Sequence, residues 1–127
     1  MRAAVVRALE FDDMVDITTT GRKSGQPKRI EIWFHRALGR YFITGTPGPR
    51  SWLANVIENP KFTFSLKQSV HADLGATARV ITDPAERREI LFAINIVRPW
   101  YGEQPGGLEA MYEGAPLFEV NFDEPVE

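Results

Sequence analysis

The segment Gly21-Arg22-Lys23-Ser24-Gly25-Gln26-Pro27-Lys28 holds the residue types that bind anions. Glycines let backbone N–H groups approach a ligand closely, and Arg22, Lys23 and Lys28 can supply charge-assisted hydrogen bonds to phosphate or carboxylate. A basic hairpin loop kept soluble by its own charges has the same composition, so both readings stand at this point. Other chemistries find no support. There is no Gly-x-Ser-x-Gly elbow, no Gly-x-Gly-x-x-Gly fingerprint, and Arg22 occupies the position before Lys23 where a P-loop needs glycine. His35 and His71 lie outside any metal motif and read as solvated strand residues. With no cysteine in the chain, disulfides, thiolate metal sites and cysteine nucleophiles are excluded, and no metal site is expected.

Two tryptophans stand out. The alternation of residues 28–36 puts Ile30, Ile32 and Phe34 on one face and Arg29, Glu31, Trp33 and His35 on the other. An indole on that polar face has no obvious core, so Trp33 suits stacking on a planar ligand or covering a subunit interface. Trp52 reads as a core anchor, because Val56 continues its helical face.

These residues need elements to hold them. Residues 15–20 read as a β-branched strand, 21–27 as a loop, 28–36 as a second strand, and 40–45 as a third after a tight connection at 37–39. A Pro/Gly-rich loop at 46–50 leads into a short helix that Asn59-Pro60 ends. Two alternating strands follow, 61–68 and 71–82; the alanines of the second suggest a crowded interior, and Gly75 suggests a bulge or bend. Asp83-Pro84-Ala85-Glu86 predicts a helix start with a capping box, and Ile90, Leu91, Ile94 and Val97 predict its buried stripe. Pro99 stops that helix, a short helix to Tyr112 follows, and 117–122 is the last strand. Many short strands with a few helices point to a closed or nearly closed sheet, not βαβ units.

Bulk properties agree. The 127 residues, 43% hydrophobic and 11% aromatic, predict one domain over 1–127 with a core, opened by a short amphipathic helix at about 1–11 that is no signal peptide. No apolar run nears the roughly 20 residues of a membrane span, and a cytoplasmic protein is expected. A net charge of −2 argues against a nucleic-acid partner. Residues 102–127 carry seven acids and no Lys or Arg, whereas Arg22, Lys23, Lys28 and Arg29 crowd one loop region, which suits a small anionic ligand.

The string from Thr18 to Lys28 resembles the deazaflavin-dependent nitroreductase family. Glu31-Ile32-Trp33-Phe34, Trp52-x-x-Asn55-x-x-x-Asn59-Pro60 and Asp83-Pro84 before a helix extend the resemblance over residues 15–122. It implies an α+β split β-barrel related to the flavin-mononucleotide (FMN) and pyridoxamine-phosphate oxidases, binding the deazaflavin coenzyme F-420. By position, Arg22, Lys23, Ser24, Gly25 and Lys28 would hold the phosphate end. Trp33 and the loop from Thr44 through Gly45, Thr46 and Arg50 to Trp52 would flank the ring and ribityl chain. That loop is shorter than the family's, and Arg50 stands in for a lysine that members carry there.

The implied activity is hydride transfer from reduced F-420 to a small organic acceptor: a quinone, enone or nitro compound. An FMN-binding reductase and a non-catalytic F-420 carrier are the alternatives on the same fold. Tyr101 and Tyr112 are candidates to protonate or orient the acceptor, or are barrel-end packing residues. Split barrels often pair, so a homodimer is expected.

Overall fold

The structure, a computed structural model, describes residues 1–126. After helix α1 (Ala3–Phe11), strands β1 (Met14–Thr20), β2 (Pro27–Trp33), β3 (His35–Ala37) and β4 (Arg40–Thr44) follow in succession, then helix α2 (Ser51–Glu58). Strands β5 (Lys61–Leu66) and β6 (Ala72–Val80) lead to helix α3 (Pro84–Val97), a 3₁₀ turn (Pro99–Glu103), helix α4 (Gly107–Gly114) and strand β7 (Leu117–Phe122). The seven strands form one antiparallel sheet in the order β2-β1-β5-β6-β7-β4-β3. Its two end strands, β2 and β3, are consecutive in the chain and joined by Phe34 alone. So short a link forces the sheet to curl until its ends meet, which makes a half-barrel.

This corrects the single strand read over 28–36. The chain pairs with β1 as far as Trp33, the Phe34 N–H then donates to the Asp13 carbonyl, and His35 begins pairing with β4. Leaving one edge for the other breaks the alternation, so Phe34 and His35 are both buried. His35 is therefore no solvated strand residue, although His71 is exposed.

The barrel interior gathers Val15, Ile17, Ile43, Phe64, Leu66 and Phe118, with α1 closing it through Val5, Ala8 and Leu9 and α2 through Trp52 and Val56. Phenylalanines meet edge-to-face inside, Phe34 on Phe64 at 5.0 Å and Phe62 on Phe118 at 5.3 Å. A second core lies on the other side of β4 and β7, where Ile90, Leu91 and Ile94 of α3 and Met111 of α4 pack on Phe42 and Leu117. Strands covered on both faces read as continuous apolar runs, as Phe42-Ile43 and Leu117-Phe118 do. The 37–39 connection is a two-residue hairpin in which Leu38 (φ 55°) and Gly39 (φ 71°) both take the left-handed conformation that suits strand twist.

Three local expectations change. Val97 is 57% exposed, because α3 ends where the second core does. Gly75 makes no bulge: pairing runs unbroken through Thr63–Gly75, and a Cβ there would sit 2.5 Å from an Asp123 carboxylate oxygen, so the glycine admits that side chain. The capping box is half-built. Asp83 accepts the Glu86 N–H at 2.9 Å, but the Glu86 carboxylate turns to Arg79 instead of back to the cap.

Arg87 does what no apolar residue could. Its guanidinium donates to the carbonyls of Ile81, Met111, Tyr112 and Ala115 at 2.7–3.3 Å, supplying donors to the open C-terminal end of α4 and tying α4 to α3. No helix among the described residues is long and apolar enough to cross a membrane.

Candidate functional site

The loop between β1 and β2 is a tight, self-bonded turn. Gly21 N–H donates to the Gln26 carbonyl and Gly25 N–H to the Gly21 carbonyl, both at 2.8 Å, while Ser24 Oγ accepts the Gln26 N–H. A Cβ on Gly21 would lie 2.5 Å from Ser24 Oγ, and Gly25 sits at φ 70°, so the turn requires glycine at both. A buried side chain from α2 holds it from below. Asn55 Oδ1 accepts the Arg22 N–H at 3.0 Å, and its amide donates to Thr19 Oγ1 at 3.1 Å. The side chains of Arg22, Lys23 and Lys28 are left pointing outward.

Those three cations differ from the ones held in ion pairs. Arg29, Lys61, Lys67, Arg79, Arg88 and Arg98 each bond a carboxylate. Among the described residues, Arg22, Lys23 and Lys28 form no ion pair. They rim a groove of about 540 Å³ whose floor includes Thr19, Trp52 and Asn55. The fourth cation of the cluster, Arg29, is tied to Asp16 at 2.9 Å. Lys67 bridges Asp16 and Glu31, and its hydrogen bond is the main reason the Asp16 carboxyl sits below the usual carboxylate range.

A second groove of about 340 Å³ adjoins the first across Trp52, which lines both. Its walls are Trp33, Trp100 and Tyr101 on one side and Thr44, Gly45, Thr46 and Arg50 on the other. Trp33 is half-buried in an aromatic cluster, edge-on to Trp100 at 5.5 Å and to Tyr101 at 6.3 Å, with the Arg98 guanidinium 4.2 Å from its ring centre. The core that its strand pattern lacked is supplied from the far end of the chain. Arg50 staples its own loop, donating to Thr46 O, Thr46 Oγ1 and Pro49 O. Trp52 is buried edge-on against Phe118 at 5.8 Å while showing one side to the grooves.

Below the second groove lies a buried polar pair. The Tyr101 hydroxyl and His35 Nε2 are 2.8 Å apart, and each residue is 3% exposed. Burial, helped by the nearby Arg98 charge, pushes the His35 imidazole down to about 4, against a smaller opposing pull from Asp13. Burial pushes the Tyr101 phenol up to about 12. Both are neutral at pH 7. Tyr112 lies elsewhere, on α4 beneath the Arg88 guanidinium at 4.5 Å and outside both groove linings.

The fold thus brings the basic loop, Trp33, Thr44 to Thr46, Arg50, Trp52 and Tyr101 to two adjoining grooves. Sequence reasoning missed two groove-lining residues, Asn55 and Trp100, and the buried partner of Tyr101, His35. Asn55 was visible in the Trp52-x-x-Asn55 spacing, but its role depends on a contact with residue 22. Trp100 and His35 had no local signal at all.

A model of the family described as F-420-H(2)-dependent quinone reductase matches residues 1–105. Among solved structures, an F-420-H2 dependent reductase (FDR-A) is similar with a TM-score of 0.63 and 24% identity, over 87% of this chain and 95% of that one. A protein related to general stress protein 26, of the pyridoxinephosphate oxidase family, from Clostridium acetobutylicum has a TM-score of 0.66 and 14% identity, over 92% and 80%. A chain described as a domain-swapped dimer has a TM-score of 0.62 and 24% identity, over 87% and 81%. The curled seven-stranded sheet is the pyridoxamine-phosphate-oxidase-like split barrel. With the family matched over most of its length, the chain belongs to the F-420-H(2)-dependent quinone reductases, enzymes that work with coenzyme F-420.

Proposed function

We propose that the enzyme passes hydride from reduced F-420 to a planar quinone-type acceptor, with the cofactor's anionic end on the basic loop and its ring beside Trp33 and Trp52. The observation that carries this reading is the pair of adjoining grooves: unpaired cations rim one and aromatic side chains wall the other. The donor set suits a long ligand that is anionic at one end and flat at the other. Arg22, Lys23 and Lys28 would bind the phosphate, with Gly21 and Gly25 letting the loop backbone come close. When bound, the cofactor supplies the hydride, so the protein's part is orientation and electrostatics. Trp33 and Trp100 offer aromatic surfaces for an electron-poor planar acceptor, and Trp52 fixes the junction between the grooves. A quinone suits those walls better than a compact acceptor, which would touch only one of them.

The test is anaerobic mixing of reduced F-420 with a 1,4-naphthoquinone, a cyclic enone or a nitroaromatic, following the cofactor's absorbance. Catalysed oxidation with the quinone, fastest of the three, is expected. Tight binding of F-420 without turnover on any acceptor would support the carrier reading instead.

A homodimer belongs to the same reading. It is supported by the exposed Phe92 and Ile96 one turn apart on α3, and by the similarity to a domain-swapped dimer. Light scattering is expected to give twice the 14.4 kDa chain mass at micromolar concentration. A monomer across the whole range would remove the dimer.

A further inference from the structure

Hydride delivery leaves the acceptor one proton short of its neutral reduced form. A donor in the groove wall would supply that proton directly. The Tyr101–His35 pair lies where such a proton would have to come from. Tyr101 lines the aromatic groove, and His35 does not. His35 lines a separate cavity of about 240 Å³ beside the end of α3, and Tyr101 does not. The two residues meet at 2.8 Å, so together they span the wall between the openings.

Among the described residues His35 Nδ1 has no hydrogen-bond partner, yet the only fully enclosed, unpartnered side-chain polar atom there is Arg40 Nε. Nδ1 is therefore in reach of solvent, and the cavity is the opening His35 lines.

We propose that Tyr101 and His35 form a proton relay from this cavity to the acceptor. The proposal rests on the reading of the aromatic groove as the acceptor site. As the acceptor oxygen gains charge, the Tyr101 O–H bond breaks and its proton goes to that oxygen. The His35 Nε2–H proton restores the Tyr101 hydroxyl, and Nδ1 takes a proton from cavity water. The hydride brings both electrons and the relay brings one proton, so neither side chain is left charged. After product leaves, water enters the groove and the transfers run backward, returning the imidazole to its Nε2–H form. Tyr101 is the donor that touches the acceptor, and His35 acts through it. A neutral imidazole is required, and burial provides it. The groups around His35 are Arg98 at the end of α3, Glu10 and Asp12 at the end of α1, Asp13 beyond it, Arg36 in β3, and Tyr101.

Two measurements test this. In the cofactor-free protein, ¹⁵N NMR of the His35 ring at pH 7 should place the proton on Nε2. A proton on Nδ1 would mean that Tyr101 donates to His35, which points the hydroxyl away from the acceptor and overturns the relay. With reduced F-420 and a 1,4-naphthoquinone, Tyr101→Phe should lower kcat about 100-fold, within the range of general acid catalysis, with quinone KM changed less than threefold. Wild type should show a solvent deuterium isotope effect on kcat, and His35→Gln should lower kcat while keeping or enlarging that effect, because Tyr101 still gives up an exchangeable proton. A Tyr101→Phe enzyme within threefold of wild-type kcat would also overturn the relay. A wild-type protein that oxidises no reduced F-420 would overturn the functional reading, a separate outcome.

Discussion

Replacing Arg22 and Lys23 together by alanine is expected to weaken F-420 binding by about two to four decades while leaving the barrel folded. Each charge-assisted contact to a phosphate is worth roughly 1.5–3 kcal/mol, and about 1.4 kcal/mol is one decade of affinity. The loop should keep its shape, because its anchor is the Arg22 backbone N–H on Asn55 and not the Arg22 side chain. Both side chains are exposed and form no ion pair among the described residues, so unfolding stability should move by no more than about 0.5 kcal/mol. Wild-type binding should weaken with added salt, and the double variant should show a shallower dependence. Titration of both proteins with F-420 at two ionic strengths checks this. Equal affinities would place the phosphate elsewhere, with Lys28 the next residue to test. Arg50 is a weaker candidate because its guanidinium is committed to Thr46 and Pro49.

The second large effect is on acid stability. His35 stays neutral in the folded protein down to about pH 4, whereas in the unfolded chain it titrates near 6.5. Between those values the unfolded state binds a proton that the folded state refuses, so stability falls as pH is lowered through the window. The contribution is complete above pH 6.5 and fully lost below pH 4, where both states are protonated. A shift of that size corresponds to about 3 kcal/mol. Asp16 and Glu86, both held below the usual carboxylate range by hydrogen bonds from cationic partners, lose their contributions only as pH falls through the acid end of this window and beyond. Urea unfolding of wild type and His35→Gln at pH 7 and pH 5 therefore isolates the imidazole. Wild type should lose more stability between the two than the variant does, and parallel losses would show that His35 does not carry the effect.

Much of this protein could be read locally. Alternation of apolar residues is set by the two-residue period of a strand, so β1, β5, β6 and β7 were legible to within a few residues, and Asp83-Pro84 marked the start of α3. The basic loop was legible for the same reason, since its glycines and cations are contiguous. The resemblance to deazaflavin-dependent reductases rested on such contiguous strings and agrees with the family assignment.

What the sequence could not show depends on pairing between distant segments. Nothing near Phe34 says that the chain leaves one sheet edge for the other there, because that break follows from curling the whole sheet until β2 and β3 meet. His35 was read as solvated because its neighbours alternate; it is buried because Tyr101, 66 residues later, is folded over it. Trp33 lacked a core until Trp100 and Arg98 supplied one, and Asn55 became a support of the basic loop only when α2 packed beneath residue 22. Side-chain period and turn chemistry act over a few residues, so the sequence by itself determined the elements and the basic loop. Burial, pKa and the joining of the two grooves at Trp52 depend on which surfaces meet, and only the closed sheet decided that.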